Sequence, residues 1–339
     1  MKILQIMAGN EEGGLENHFV DLCNALSRTT DFEISVIAHE KYQQRFDVSI
    51  QFYPLDLSKG RRNPFTLFKL YKLIKQIKAD IIHAHANKAA SMLSKVQGYV
   101  SGKKIATVHS MKKNNKMYES MDWIIGVSKD VLKNIQNENQ SVIYNGISEN
   151  FLASPTQAVT RESLGIENPL PILISIGRLV PVKGLDVLLE AFENITANLL
   201  IVGEGELLEE LEQTVKTNEH ITDVYFLGQR NDIKNLLTLA DLTVISSHRE
   251  GFSYVVAESL LTKKPVISTD VPVANEILPE EYIVPIADSE KLHQAIEQFI
   301  NNQESVEKEF EELFEFAKSE FTETKMIEKV IESYRNLNL

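Results

Sequence analysis

Short β-branched runs alternate with longer stretches whose apolar residues recur every three to four positions, almost from end to end. That rhythm predicts parallel strands covered by helices. In the first half, strands are expected near residues 2–7, 33–39, 48–52, 80–84, 103–108, 122–127 and 140–144. Between them Leu15, Phe19, Leu22 and Leu26 repeat at helical spacing, and so do Leu67, Leu70, Tyr71, Ile74 and Ile77. The Asn145-Gly146 pair and the polar stretch up to Pro171 read as a linker. A second series follows, with strands expected at 172–176, 199–202, 224–227, 242–246, 265–268 and 282–285. The expected fold class is α/β, with two doubly wound Rossmann-like domains, residues 1–153 and 154–319, facing across a cleft. A C-terminal helix at about 320–339 is expected to pack back on the first domain. Chemistry should then sit in the loops beyond the carboxyl ends of the strands.

Composition narrows the possibilities. At 339 residues, 43% hydrophobic and 24% charged, the chain has the make-up of an ordinary globular protein with room for two cores. Its opening apolar stretch runs into Gly9-Asn-Glu-Glu too soon for a secretion signal, and no later run approaches a membrane span, so a cytoplasmic protein is expected. Cys23, the single cysteine, excludes a disulfide framework and reads as a buried structural thiol. Net charge is −13 but uneven: residues 1–155 hold 20 Lys and Arg against 15 Asp and Glu, the remainder 15 against 33. The basic half suits an anionic lipid or a phosphorylated acceptor, while the acidic whole, without a recognisable binding module, argues against nucleic acid.

Two segments carry the chemistry. Ser175-Ile-Gly177-Arg178-Leu-Val-Pro-Val-Lys183-Gly184 reads as a strand, a glycine turn and a loop with two cations before a helix. Arg178 can fork onto two phosphate oxygens, Lys183 adds a point charge, and a helix start offers free N–H groups, which together make a diphosphate clamp. Glu250-Gly-Phe-Ser-Tyr-Val-Val-Ala-Glu258 places one carboxylate in a loop and a second about two turns into a helix expected to start near Phe252. Such a pair can accept hydrogen bonds from neighbouring sugar hydroxyls. Each segment alone equally fits ordinary surface charge; together they favour a sugar bearing a diphosphate. Gly13 and Gly14 close the first strand and open a helix, so their backbone can approach an anion, although the glycine spacing of a dinucleotide fingerprint is absent.

With these pieces in view, the chain resembles a member of glycosyltransferase family 4, with its two-domain GT-B architecture, over essentially its whole length. The resemblance implies that Arg178 and Lys183 hold the donor diphosphate, Glu258 the ribose hydroxyls and Glu250 the transferred sugar, helped by the backbone at Gly251 and Phe252. His109, in Thr-Val-His-Ser, resembles the histidine that many members place beside the reacting sugar. Hexosyl or N-acetylhexosaminyl transfer with retention is implied, from a nucleotide sugar with uridine the commonest base, onto a glycan or lipid-linked acceptor in polysaccharide assembly. Gly228-Gln229-Arg230 is expected near the base without deciding it. An epimerase of the same architecture and a non-catalytic partner subunit are the alternatives.

No metal is expected. There is no Asp-x-Asp, and His83 and His85 are read as pointing to opposite faces of their strand. Finally, Lys59–Lys78 projects as a helix with Phe65, Phe68, Lys69, Lys72 and Lys75 opposite its core face, which Lys112, Lys113 and Lys116 could extend. Such a face fits peripheral contact with an anionic membrane, or a plain solvated surface.

Overall fold

A computed structural model describes residues 1–11, 13–110, 115–153 and 158–337. The chain forms two compact units, Met1–Gly146 with Thr324–Leu339, and Ile147–Glu323. Lys112 and Lys113 lie outside the described residues. Among the described residues, no helix is long and apolar enough to cross a membrane.

The first unit is built on seven parallel strands: β1 (Lys2–Met7), β2 (Glu33–Ala38), β3 (Gln51–Pro54), β4 (Ile81–His85), β5 (Lys103–Val108), β6 (Trp123–Gly126) and β7 (Gln140–Val142). Their spatial order is β3-β2-β1-β4-β5-β6-β7. Helices cover both faces, so the central strands are apolar at successive positions: Ile3, Leu4, Ile6 and Met7 are all inaccessible to solvent. The helix α1 (Gly14–Thr29) lays Phe19, Leu22, Cys23 and Leu26 into this core, where the C-terminal helix Glu323–Leu337 adds Ile327, Val330 and Tyr334. Burial also raises the pKa of the Cys23 thiol, leaving it a neutral packing group.

Helix α2 (Pro64–Ile77) starts where Asn63 caps the N–H groups of Phe65 and Thr66, with proline in the first turn, and ends at Lys78 in the left-handed region. Leu70, Ile74 and Ile77 are buried, while Phe65 and Phe68 are 78% and 54% exposed. After β4 comes α3 (Ala86–Val96), whose Ala89, Ala90, Met92 and Leu93 are buried.

The second unit repeats the plan with β8 (Ile172–Ile176), β9 (Asn198–Val202), β10 (Val224–Phe226), β11 (Leu242–Ile245), β12 (Val266–Thr269) and β13 (Ile283–Val284). All pair in parallel, in the order β10-β9-β8-β11-β12-β13. Each sheet thus reverses its strand order once, between β1 and β4 and between β8 and β11. Those reversals are where doubly wound sheets open a crevice at the carboxyl edge.

Candidate functional site

In the second unit, the loops that leave β8 and β11 at the reversal meet each other. Ser175, Gly177, Arg178, Lys183, Ser247, Glu250 and Ser253 line one cavity there. The meeting depends on glycine. Gly184 sits at φ +60, and a Cβ on it would lie 2.2 Å from the Ser246 carbonyl oxygen, so only glycine lets the two loops close. Beside it, Gly203 at the end of β9 packs against the Gly177 carbonyl, which a Cβ would approach to 1.9 Å.

The contact is electrostatic as well as steric. Lys183 Nζ donates to Glu250 Oε1 at 2.6 Å, and Ser247 Oγ donates to the same oxygen at 2.8 Å. The Ser246 hydroxyl holds the Lys183 carbonyl at 2.9 Å, and the His248 N–H holds that of Val182 at 2.9 Å. Arg178 is exposed and has no side-chain partner among the described residues, so its guanidinium is available to a ligand. The helix after Gly184, Leu185–Ala191, is only seven residues long and has no side-chain cap.

Glu258 sits elsewhere on this edge. The helix begins at Tyr254, not Phe252, so Glu258 lies about one turn in rather than two. Burial pushes its carboxyl up to about 7. Phe252 is itself buried, with its ring 5.1 Å from Tyr254 and 6.0 Å from Phe321, so any part it plays toward a ligand belongs to its backbone. Arg230, beyond β10, is committed to Asp232 through two hydrogen bonds of 2.8 and 2.6 Å.

In the first unit, Gly13 caps α1 in extended conformation and Gly14 is its first residue. The buried Glu16 folds back so that its carboxylate fills the space a side chain on Gly9 would need, 2.4 Å from where a Cβ would sit. His83 and His85 require a correction: residues two apart on a strand share a face, and their ring centres lie 4.2 Å apart. A hydrogen-bonded chain fixes them. Gln5 Nε2 donates to the Tyr334 hydroxyl at 2.8 Å, which donates to His83 Nδ1 at 2.6 Å, and His83 Nε2 donates to Thr107 at 2.7 Å. His85 Nε2 donates to Gln5 Oε1 at 2.8 Å.

A histidine cluster therefore exists where the spacing along the chain suggested none. Nitrogens of His18, His85 and His109 lie within 4.8 Å of one another, close enough to be considered for a metal ion. Burial and the neighbouring histidines hold His109 and His85 well below their usual pKa, so both are neutral at physiological pH. The Nε2 of His109 and Nδ1 of His85 are buried without a partner.

The structure thus brings Arg178, Lys183 and Glu250 to one cavity, sets Gly251, Phe252 and Glu258 on the same unit, and gathers Gly13, Gly14 and His109 at the carboxyl edge of the other. Ser247, Ser253, the Gly203-Glu-Gly205 turn and Tyr334 were not singled out from the sequence. The paired glycines at a strand end were a usable clue; the serines and Tyr334 carried none.

Comparison with known proteins speaks to the family and the fold. The family described as "Glycosyl transferases group 1" matches residues 156–313, and "Glycosyltransferase Family 4" matches residues 12–151. An uncharacterized glycosyltransferase of Methanocaldococcus jannaschii is 26% identical over 86% of this chain and 86% of its own. The Escherichia coli UDP-Gal:alpha-D-GlcNAc-diphosphoundecaprenol alpha-1,3-galactosyltransferase is 28% identical over 64% of each chain. Among solved structures, HepE of Anabaena in complex with UDP superposes with a TM-score of 0.84 at 20% identity, covering 99% of this chain and 100% of that one. WaaG, a glycosyltransferase involved in lipopolysaccharide biosynthesis, gives 0.69 at 15% identity, covering 97% of this chain and 98% of that one. Two successive family matches, one on each Rossmann-like unit, identify the chain as a glycosyltransferase belonging to family 4.

Proposed function

We propose that this glycosyltransferase moves a hexosyl or N-acetylhexosaminyl group from a UDP-sugar to a hydroxyl of a glycan or lipid-linked acceptor, with retention and without a metal. The observation that carries the reading is the convergence of Arg178, Lys183 and Glu250 at the β8/β11 reversal. Two cations and a sugar-binding carboxylate in one cavity suit a diphosphate joined to a sugar. In this reading Arg178 and Lys183 take the diphosphate oxygens, and Glu250, released in part from Lys183, accepts from the sugar hydroxyls. Glu258 accepts from the ribose hydroxyls, and the backbone at Gly251 and Phe252 helps to seat the donor.

The bond from the sugar C1 to the diphosphate oxygen breaks as the acceptor oxygen attacks the same face. The acceptor proton passes to the departing phosphate oxygen, whose new charge Arg178 and Lys183 stabilise. Neutral His109 offers a hydrogen bond to a substrate hydroxyl at the edge of the first unit, beside the Gly13-Gly14 turn. Uridine is supported by the UDP complex of HepE, and a lipid-linked acceptor by the name of the galactosyltransferase. Work at the cytoplasmic face of a membrane follows from that acceptor.

The test is a thermal-shift screen over nucleoside diphosphates and nucleotide sugars, since a ligand of the native state raises its stability. UDP and a UDP-sugar should stabilise the protein more than other nucleotides. No stabilisation by any nucleotide sugar would sink the donor assignment, and conversion of a UDP-sugar to its epimer without acceptor would favour the epimerase.

A further inference from the structure

Apart from the donor loops, the first unit has an open concavity of about 1050 Å³. Arg61 and Arg62 reach it from the loop between β3 and α2, Lys88 and Lys95 from α3, and Lys116 from the segment beyond β5. Four serines lie between these cations, and among the described residues no carboxylate lines the wall. The wall runs along α3, from Lys88 near the helix start to Lys95 near its end, with Ser120 beside it ahead of β6.

Among the described residues, Arg61, Arg62, Lys88 and Lys95 have no carboxylate partner. Lys95 Nζ donates to the Arg61 carbonyl and Lys88 Nζ to the Ser58 carbonyl, partners that position an ammonium without neutralising it. Desolvation and the charges of Arg62 and Arg61 hold the Lys95 ammonium below its usual pKa. Like charges crowded in this way repel one another unless an anion sits among them.

We propose that this concavity binds a phosphate or diphosphate ester carried by the acceptor. Adjacent guanidinium forks match the geometry of phosphate oxygens, lysines add point charges, and serine hydroxyls supply further donors. A phosphate monoester brings roughly −1.5 to −2 charges and three acceptor oxygens, whereas a lone carboxylate would leave most of the wall unanswered. The surroundings fit an ester attached to hydrocarbon. Phe65, 78% exposed, follows Arg62 closely at the start of α2, and Tyr99, 76% exposed, has its ring 6.5 Å from Tyr71 on the same helix.

The inference rests on the acceptor reading above and is tested separately from it. Wild-type protein is saturated with UDP, so that the donor clamp is occupied, and titrated with inorganic pyrophosphate by calorimetry. The same titration is run on Arg61→Ala/Arg62→Ala, on Lys95→Gln and on the control Lys103→Ala. Binding to wild type and control, weakened at least tenfold in the double variant and several-fold in Lys95→Gln, with UDP affinity unchanged in all, is the expected result. Among the described residues the Arg61 and Arg62 side chains make no internal hydrogen bonds, so loss of fold is not expected, and retained UDP binding checks it. Equal pyrophosphate binding by wild type and double variant, or no binding by wild type, overturns the proposal. A parallel arm uses phosphatidylglycerol vesicles: adhesion to vesicles by a protein that ignores pyrophosphate also overturns it, because the surface would then read bulk lipid charge. Failure of UDP to bind would instead strike the donor reading.

Discussion

Lys183 Nζ lies 2.6 Å from Glu250 Oε1, joining the loops that leave β8 and β11 across 67 positions of sequence. Both side chains are largely covered, at 23% and 14% exposure. A bound diphosphate therefore competes with Glu250 for the ammonium, and the pair presets Lys183 for it. Replacing either Arg178 or Lys183 by alanine should lower turnover by roughly 10²–10³, as when one preorganised charge stabiliser is lost. Steady-state kinetics on soluble variants decide the matter: near-normal turnover in either would remove the clamp.

Glu250 and Glu258 should separate. Glu250→Ala is expected to slow sugar transfer while leaving affinity for free UDP nearly intact. Glu258→Ala should weaken UDP binding by about 1–3 kcal/mol, through hydroxyl groups left without an acceptor. Calorimetry with UDP alone would show identical losses in the two variants if this division were wrong.

Glu258 also predicts a gain in stability. Its carboxyl titrates near 7 in the folded protein against a usual 4.5. Above the lower value the unfolded chain gives up the proton and the folded chain keeps it, so stability falls as pH rises through this window, and the loss is complete above the higher value. Glu258→Gln removes that loss. Melting curves should place the variant above wild type at about pH 8 and close to it at about pH 4.5.

The buried histidines act in the opposite direction. Burial lowers His18 to about 4 from a usual 6.5, and burial together with the charge of His18 lowers His83 to about 3. Below the usual value the unfolded histidines take protons that the folded ones refuse, so stability falls as pH drops from about 6.5 toward 4. His18 alone accounts for about 3 kcal/mol at the acid end, at roughly 1.4 kcal/mol per pH unit. His18→Gln should flatten this acid limb, and an unchanged limb would show that His18 is not the group responsible.

Donor hydrolysis and transfer should persist in excess EDTA, because the proposed clamp neutralises the diphosphate with side-chain cations. Loss on chelation, restored by a divalent ion, would overturn metal independence. The cluster of His18, His85 and His109 would then be the first place to look, with His85→Gln expected to abolish the restoration.

Helix α2 offers the last expectation. Lys69, Lys72 and Lys75 are exposed beside Phe68, with Lys72 Nζ 4.8 Å from its ring centre. Each lysine near an anionic surface contributes about 1 kcal/mol and is screened by salt. Wild type should co-sediment with anionic vesicles at low salt and release at high salt, and the triple change to Glu should not bind. Binding indifferent to lipid charge would leave α2 an ordinary surface helix.

The order and type of elements were legible along the chain, because each strand needed a short β-branched run and each helix an apolar stripe, and both are properties of neighbours in sequence. Every strand expected from that rhythm has its counterpart in β1 to β13, with ends moved by a few residues where turn geometry decided them. The Arg178 to Gly184 segment and the Glu250 to Glu258 segment were likewise visible as motifs. What only the tertiary structure decided was which groups meet. Nothing near Tyr334 in sequence marks it as the partner of His83 and Gln5, and nothing near Glu250 marks it as the partner of Lys183. Those pairings arise when parallel strands bring distant loops to one edge. The depressed histidines and the raised Glu258 follow from them too, since a pKa responds to burial and to neighbours in space, neither of which a local pattern records.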